Sequence, residues 1–166
     1  ELSAQEVLAM VPQQEPFRFI DEILELDDEH IVATYTFRED HEFYRGHFPG
    51  NPITPGVILT ETAAQAVVVA FGIALVARES GRNEVEKLLT IFTDCQVDFS
   101  GTVKPGDRVM SVDDTPGESR HLLAACARNS SVLIKLKRDR VMRRHGGQIL
   151  RCALVPAVHM QTRVRA

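Results

Sequence analysis

Hydrophobic residues are spaced in two different ways along this chain, and the spacing predicts its elements. Residues 2–11, LSAQEVLAMV, carry their apolar positions on one face of a short helix. Ser3 is the expected N-cap, Glu6 completes a capping box, and Pro12 ends the helix. Phe17 to Leu26 and Ile31 to Phe37 are strand-like, and Asp27-Asp28-Glu29-His30 joins them as a turn. Residues 38–56 form a loop stiffened by Gly46, Pro49, Gly50, Pro52, Pro55 and Gly56, a rigidity suited to positioning something. From Val57 to Glu79 the chain predicts one long helix, apolar on most sides and so enclosed by other structure. Thr54 is the expected cap of that helix, with Pro55 in its first turn.

The second half reads as further strands. Leu88 to Phe99 is one, Lys104-Pro105-Gly106-Asp107 a turn, and Arg108 to Val112 another. Val132 to Met142 and Gln148 to Met160 are read as a closing hairpin around His145-Gly146-Gly147, with Pro156 at an edge or bulge. Between them residues 113–131 are the least legible. Asp113 to Gly117 is a turn, and His121 to Arg128 fits either a helical turn or a strand. With no repeat or linker in sight, residues 1–166 are taken as one α+β domain, a long helix packed by antiparallel strands.

Composition narrows the function classes. The chain is 44% hydrophobic and 25% charged and has no tryptophan, which argues against a stacking surface for single-stranded nucleic acid. Residues 1–99 hold 6 Lys/Arg against 18 Asp/Glu, and residues 100–166 hold 13 against 5. The two regions are expected to neutralise each other; the alternative is a basic surface for an acidic partner. Cys95, Cys126 and Cys152 lie far apart with no C-x-x-C pair, as in free thiols of a reducing, cytoplasmic compartment. The chain begins at Glu1, so a processed targeting segment stays open. The apolar run Ala66 to Ala77 is short for a bilayer, which needs about 18–20 residues.

Candidate chemistry concentrates in GHFPGNPITPGVILTETAAQ, Gly46 to Gln65. His47 lies in the rigid loop and Glu61 about one turn into the helix. Gln65, four residues on, shares the Glu61 face about 6 Å further along the axis. A carboxyl group on an apolar helix face favours its neutral form, which can act as an acid. Histidine is the usual base near neutral pH. The Gly56 and Val57 N–H groups at the helix start can polarise a carbonyl oxygen. Such a set can remove a proton beside a carbonyl and expel a hydroxyl one carbon further out. From the residues alone a plainer reading stands beside it: a loop histidine, and a glutamate that only complements the helix dipole.

The string HFPGNPITPG, followed by Glu61 14 positions after His47 and then by Gln65, resembles the 3-hydroxyacyl-acyl-carrier-protein dehydratases of fatty acid synthesis. Residues 10–26, with Pro16-Phe17 leading into the first strand, and Phe92 to Asp107, ending VKPGD, extend the likeness over about residues 8–112. The resemblance implies a hot-dog fold, with an antiparallel β-sheet wrapped round the long central helix. It implies a homodimer or trimer of dimers, each active site sharing its His and its acid between subunits, with an acyl tunnel along the helix. It casts His47 as the base at C2, Glu61 as the acid for the C3 hydroxyl, and Gly56 and Val57 as donors to the thioester oxygen. Gln65 would orient Glu61 or a water, and Phe48 and Pro49 would shape the tunnel. Glu rather than Asp at position 61 leans toward the branch that dehydrates without isomerising. The substrate would arrive on acyl carrier protein or coenzyme A, and no metal, nucleotide or redox cofactor is implied. Three departures bear on substrate choice and accessory structure. Asn51 stands where a second His is common, Thr54 where Met is common, and residues 113–131 where a short turn is usual, leaving room for a lid, an added helix or a partner surface.

Other chemistries find less support. His41 and His47 are six apart with no H-E-x-x-H, no G-x-S-x-G surrounds Ser100-Gly101, and no P-loop lysine follows the glycines. Asn129-Ser130-Ser131 fits the short glycosylation pattern. The run Lys135, Lys137, Arg138, Arg140, Arg143 and Arg144 reads first as a solvated strand face, with neither nucleic acid nor membrane as partner. Its functional version is docking of an acidic carrier protein. Two alternatives remain: a hot-dog thioesterase, which needs no His47, and a non-catalytic acyl-binding protein.

Overall fold

The computed structural model describes residues 2–85, 97, 99, 101–113, 121–126 and 131–135, with 113, 121–126 and 131–135 as backbone only. The expected strand Leu88–Phe99 lies outside them apart from residues 97 and 99. So do the second strand of the closing hairpin and the basic run beyond Lys135.

Helix α1, Ala4–Met10, starts as its sequence predicts. The Ser3 hydroxyl accepts the Glu6 N–H, and the Glu6 carboxylate accepts the Ser3 N–H at 2.9 Å, so two first-turn donors are satisfied reciprocally. These bonds, the Ser3 N–H first, hold the Glu6 carboxyl below its usual pKa. Val7 and the C-cap Val11 face inward and are buried.

Strands β1, Glu22–Leu26, and β2, Ile31–Thr36, form the expected antiparallel hairpin. Its turn is closed by Asp27 N–H to the His30 carbonyl, while the Asp27 carboxylate accepts from Glu29 N–H at 2.8 Å. The strand begins at Glu22 and not at Phe17, because a side chain from elsewhere in the fold takes the backbone groups of Phe17 and Phe19, as described below. The Lys104–Asp107 turn is present, with Gly106 at φ 84, a conformation open to glycine at no steric cost. Gly106 N–H donates to Phe37 O and Phe37 N–H to Asp107 O, which sets β3, Arg108–Asp113, antiparallel beside β2 in unbroken register from Thr36↔Arg108 to Ile31↔Asp113.

Strands β4, His121–Cys126, and β5, Ser131–Lys135, continue the sheet in the order β1-β2-β3-β4-β5. The ambiguous stretch around His121 is therefore a strand, and the middle of the extra segment 113–131 belongs to the sheet rather than to an added helix. Pairing supplies the reason: β4 lies between two antiparallel partners, and that ladder outweighs weak local preference.

The central helix α2 runs from Gly56 to Ser80, 25 residues, and ends where Gly81 takes φ 91. Its ends are α-helical, but Gln65–Ala70 forms a π-helical stretch in which the Phe71 N–H reaches back to the Ala66 carbonyl. All six residues of that stretch are buried, and it packs against β2, β3 and α1. The helix as a whole is long and apolar enough to cross a membrane, although the run Ala66 to Ala77 alone is not. An 18-residue apolar window of it is 67% buried inside the fold, as in a core helix. The result is the arrangement the resemblance implied, one long helix against an antiparallel sheet. Arg82, in the helical turn after α2, closes the far end by an ion pair with Glu6 at 3.0 Å.

Candidate active site

The Gly/Pro loop is organised by backbone hydrogen bonds. A short 3₁₀ helix, Glu42–Arg45, precedes it, and Phe43 O accepts from both Gly46 N–H and His47 N–H. Ile53 N–H donates to His47 O at 2.9 Å, and Phe48 and Asn51 exchange backbone bonds inside that pair. Residues 47–53 are thus a closed miniature hairpin, with Gly50 at φ 77 in its turn. The His47–Phe48 peptide is cis.

The His47 ring is held by the same partner. Its Nδ1 lies 2.8 Å from Ile53 O. A carbonyl only accepts, so Nδ1 carries the hydrogen, and in the neutral ring Nε2 keeps its lone pair. The loop therefore selects, for the neutral ring, the tautomer in which Nε2 is the acceptor. Phe48, half exposed, stacks on the His47 ring with centroids 4.2 Å apart.

Glu61 is positioned by Gln65. The Gln65 Nε2 donates to Glu61 Oε1 at 2.8 Å and to Phe17 O at 2.9 Å, while its Oε1 accepts the Phe19 N–H at 2.7 Å. Gln65 is fully buried, and its carboxamide serves the polypeptide on one side and the carboxylate on the other. This is why β1 starts late: a ladder partner is replaced by a side chain that also fixes Glu61.

The start of α2 differs from expectation in one respect. Thr54 does not cap it. The N-cap is Pro55, with no side-chain cap bond, and the Thr54 hydroxyl is instead 2.5 Å from the Tyr44 hydroxyl. Ile58 N–H and Leu59 N–H both donate to Pro55 O. The N–H groups of Gly56 and Val57, in the first turn, have no intrahelical acceptor and point outward from the helix start. Val57 is 75% exposed, whereas Gly56 lies against the Phe99 ring, where a Cβ would fall 2.8 Å from Cζ. Only glycine lets the helix begin at that distance from the ring.

Pro49 lines an open cleft of about 790 Å³ with Tyr44, Arg45, Asn51, Pro52 and Lys104. His41 is not part of the loop chemistry. It is buried with its Nε2 2.8 Å from Tyr35 Oη, and burial, aided by Arg38, holds its imidazole below the usual range. Burial likewise pushes the Tyr35 phenol up to about 12, so the tyrosine remains the donor to a neutral ring.

The fold joins Glu61 to Gln65, and sets Gly56 and Val57 on the same helix about one turn before Glu61. His47 sits on the adjoining loop. Within one chain, among the described residues, His47 and Glu61 share no hydrogen bond. Four contributors escaped the sequence reading. Ile53 acts through its carbonyl and Phe17 and Phe19 through backbone groups, none of which leaves a residue-type signal. Tyr44 showed only as an aromatic before Gly46.

Comparison with known proteins adds the family context. The profile of the FabA-like domain matches residues 11–131. The 3-hydroxyacyl-[acyl-carrier-protein] dehydratase FabZ of Bacillus pumilus is 34% identical over 109 residues, 65% of this chain and 71% of that protein. The protein of the same name from Chlamydia trachomatis serovar L2 is 37% identical over 109 residues, covering 64% and 67%. Among solved structures, a chain of the dehydratase heterocomplex ApeI:P from Xenorhabdus doucetiae is 15% identical, with a TM-score of 0.43 over 72% of this chain and 96% of that one.

Proposed function

Because this chain belongs to the FabA-like domain family, we propose that it removes water from a 3-hydroxyacyl thioester borne on acyl carrier protein and releases the trans-2-enoyl thioester. The observation that carries the reading is the Nδ1 bond from His47 to Ile53 O, which in the neutral ring puts the hydrogen on Nδ1 and leaves the Nε2 lone pair to accept a proton. Nε2 takes the proton from C2. The charge that develops on the thioester oxygen is met by the Gly56 and Val57 N–H groups at the positive end of α2. As the C2–C3 double bond forms, the C3–O bond breaks and Glu61, oriented by Gln65, gives its proton to the departing hydroxyl, which leaves as water. The proton held by His47 returns through solvent to Glu61, and the site is reset.

The complete site is proposed to form in a homodimer, the His47 of one subunit facing the partner subunit's Glu61. Two facts support this: the two residues are not bonded within one chain, and Phe48 and Val57, beside the loop and the helix start, are 52% and 75% exposed. Phe48 and Pro49 then border the acyl channel.

The test is turnover of a short 3-hydroxyacyl thioester and of its 2-enoyl counterpart, with enoyl absorbance and free thiol followed together. Wild type is expected to interconvert the two, and His47→Ala and Glu61→Gln each to lose about 10²–10⁴-fold in rate. Thiol release without enoyl formation would make the protein a thioesterase. Acyl binding with no turnover, and undiminished in His47→Ala, would make it a binding protein.

A further inference from the structure

We propose that the Tyr44 and Thr54 hydroxyls form a latch that holds the His47 loop against the start of α2, so that the base and the thioester-oxygen donors keep one relative position. The inference rests on the dehydratase reading of the site.

Tyr44 lies in the 3₁₀ helix before the loop, and Thr54 is the second residue ahead of Gly56. Their hydroxyls are 2.5 Å apart, and both residues are buried, at 7% and 2% exposure. Each end of this link is fastened to something functional. On the Tyr44 side, the neighbouring Phe43 carbonyl holds the His47 N–H. On the Thr54 side, the Thr54 N–H donates to Val103 O at 2.7 Å, and the chain enters α2 two residues later. The hairpin 47–53 is closed within itself by the His47–Ile53 and Phe48–Asn51 bonds, so its placement depends on the stems on either side. The Tyr44–Thr54 bond joins those stems side chain to side chain. Two apolar residues would fill the same space and avoid burying hydroxyls. What the hydroxyl pair adds is direction, since a hydrogen bond weakens steeply with misalignment and dispersion does not. Neither hydroxyl belongs to the reacting set, so both residues are positioning residues. The pair also accounts for Thr54 at a position where Met is common in the family it resembles.

The experiment compares wild type, Tyr44→Phe, Thr54→Val and the double variant by three readouts: melting temperature, kcat and KM, and amide hydrogen exchange at position 54 corrected for intrinsic rate. Each single variant leaves one buried hydroxyl unpaired and is expected to melt lower, whereas the double variant regains the wild-type melting temperature. A packing role would return catalysis with stability. The latch predicts that it does not: the double variant keeps a kcat about tenfold down with KM within about twofold, because small displacements of reacting groups act on the chemical step. Its residue-54 amide shows a protection factor, corrected for intrinsic rate, about tenfold below wild type, as an unlatched stem opens more often. A double variant with wild-type kcat, or with wild-type protection at position 54, overturns the latch. Wild-type protein without turnover overturns the dehydratase reading instead, and the exchange comparison then decides alone whether the fastening exists.

Discussion

Gln65→Leu removes the carboxamide that joins the Glu61 face of α2 to the entry of the sheet, with little change in side-chain volume. Three bonds go with it. The Phe19 N–H, 2.7 Å from Gln65 Oε1 and buried, is left with no partner. The Phe17 carbonyl, partly buried, loses its donor but lies close enough to solvent to be rehydrated in part. Glu61 loses the contact that orients it. A buried backbone group left unpaired costs about 1–3 kcal/mol, so one full penalty and part of a second come to about 2–4 kcal/mol. For a chain of this size each kcal/mol moves the melting temperature by about 2–4 °C, which gives a fall of roughly 5–15 °C. The assay is thermal denaturation followed by circular dichroism at fixed protein concentration, since association would make the midpoint concentration-dependent. Glu61→Gln is the control. Its carboxamide oxygen still accepts from Gln65 and the Phe17 and Phe19 bonds persist, so it should melt within about 2 °C of wild type while losing activity. If Gln65→Leu melts with the wild type and the Phe19 amide exchanges no faster, Gln65 does not tie helix to sheet and the account of the late start of β1 is wrong.

Two further outcomes are expected. Gly56→Ala brings its Cβ to 2.8 Å from the Phe99 ring. Phe99 is 40% exposed and can swing aside, so the stability loss stays near 1 kcal/mol, but turnover should fall. Phe99→Ala in the same chain makes room and should return it, and a Gly56→Ala enzyme with wild-type kcat would remove the close approach from the argument. His41, buried as the neutral ring, gives a pH dependence whose sign follows from its lowered pKa. Above the ordinary value of 6.5 neither folded nor unfolded chain protonates it; below 6.5 the unfolded chain takes up a proton that the fold refuses. Unfolding free energy measured by urea titration should therefore fall as pH drops from 6.5 toward the folded-state value, and His41→Gln should flatten that slope. An unchanged slope would assign the acid sensitivity to other groups.

Much of the architecture follows from local chemistry alone. Ser3 and Glu6 start α1 because an oxygen at the N-cap and a carboxylate three residues on satisfy that helix's own first N–H groups. The Asp27–His30 and Lys104–Asp107 turns form because Asp side chains take up nearby backbone N–H groups and Gly106 accepts φ 84. The run from Val57 to Glu79 reads as one helix from its apolar residues without turn signals, and so continuous an apolar surface calls for cover by other structure. His47, Glu61 and Gln65 stood out as polar groups in a stiff loop and on an apolar helix, but residue type alone also fitted a plain loop histidine and a dipole-complementing glutamate, and only the motif resemblance gave them roles.

Other features depended on partners remote in sequence. Gln65 satisfies Phe17 and Phe19, 48 and 46 residues away, and so delays β1. Thr54 gave the local signal of a cap, but the Tyr44 hydroxyl, brought alongside by the fold, takes its oxygen. His121 to Cys126 had no decisive periodicity and became a strand when flanking ladders offered hydrogen bonds on both sides. The tautomer of His47 rests on a carbonyl, and every residue has one, so no choice of residue type can announce it. Sequence alone determined the start of α1, the two Asp turns, the long apolar helix and which side chains carry groups able to exchange protons, because those features are set by residue type and near neighbours. Tertiary structure decided which atoms of those side chains are already occupied, because a donor or acceptor is filled by whichever group the fold brings within hydrogen-bonding distance, and that group can lie anywhere along the chain.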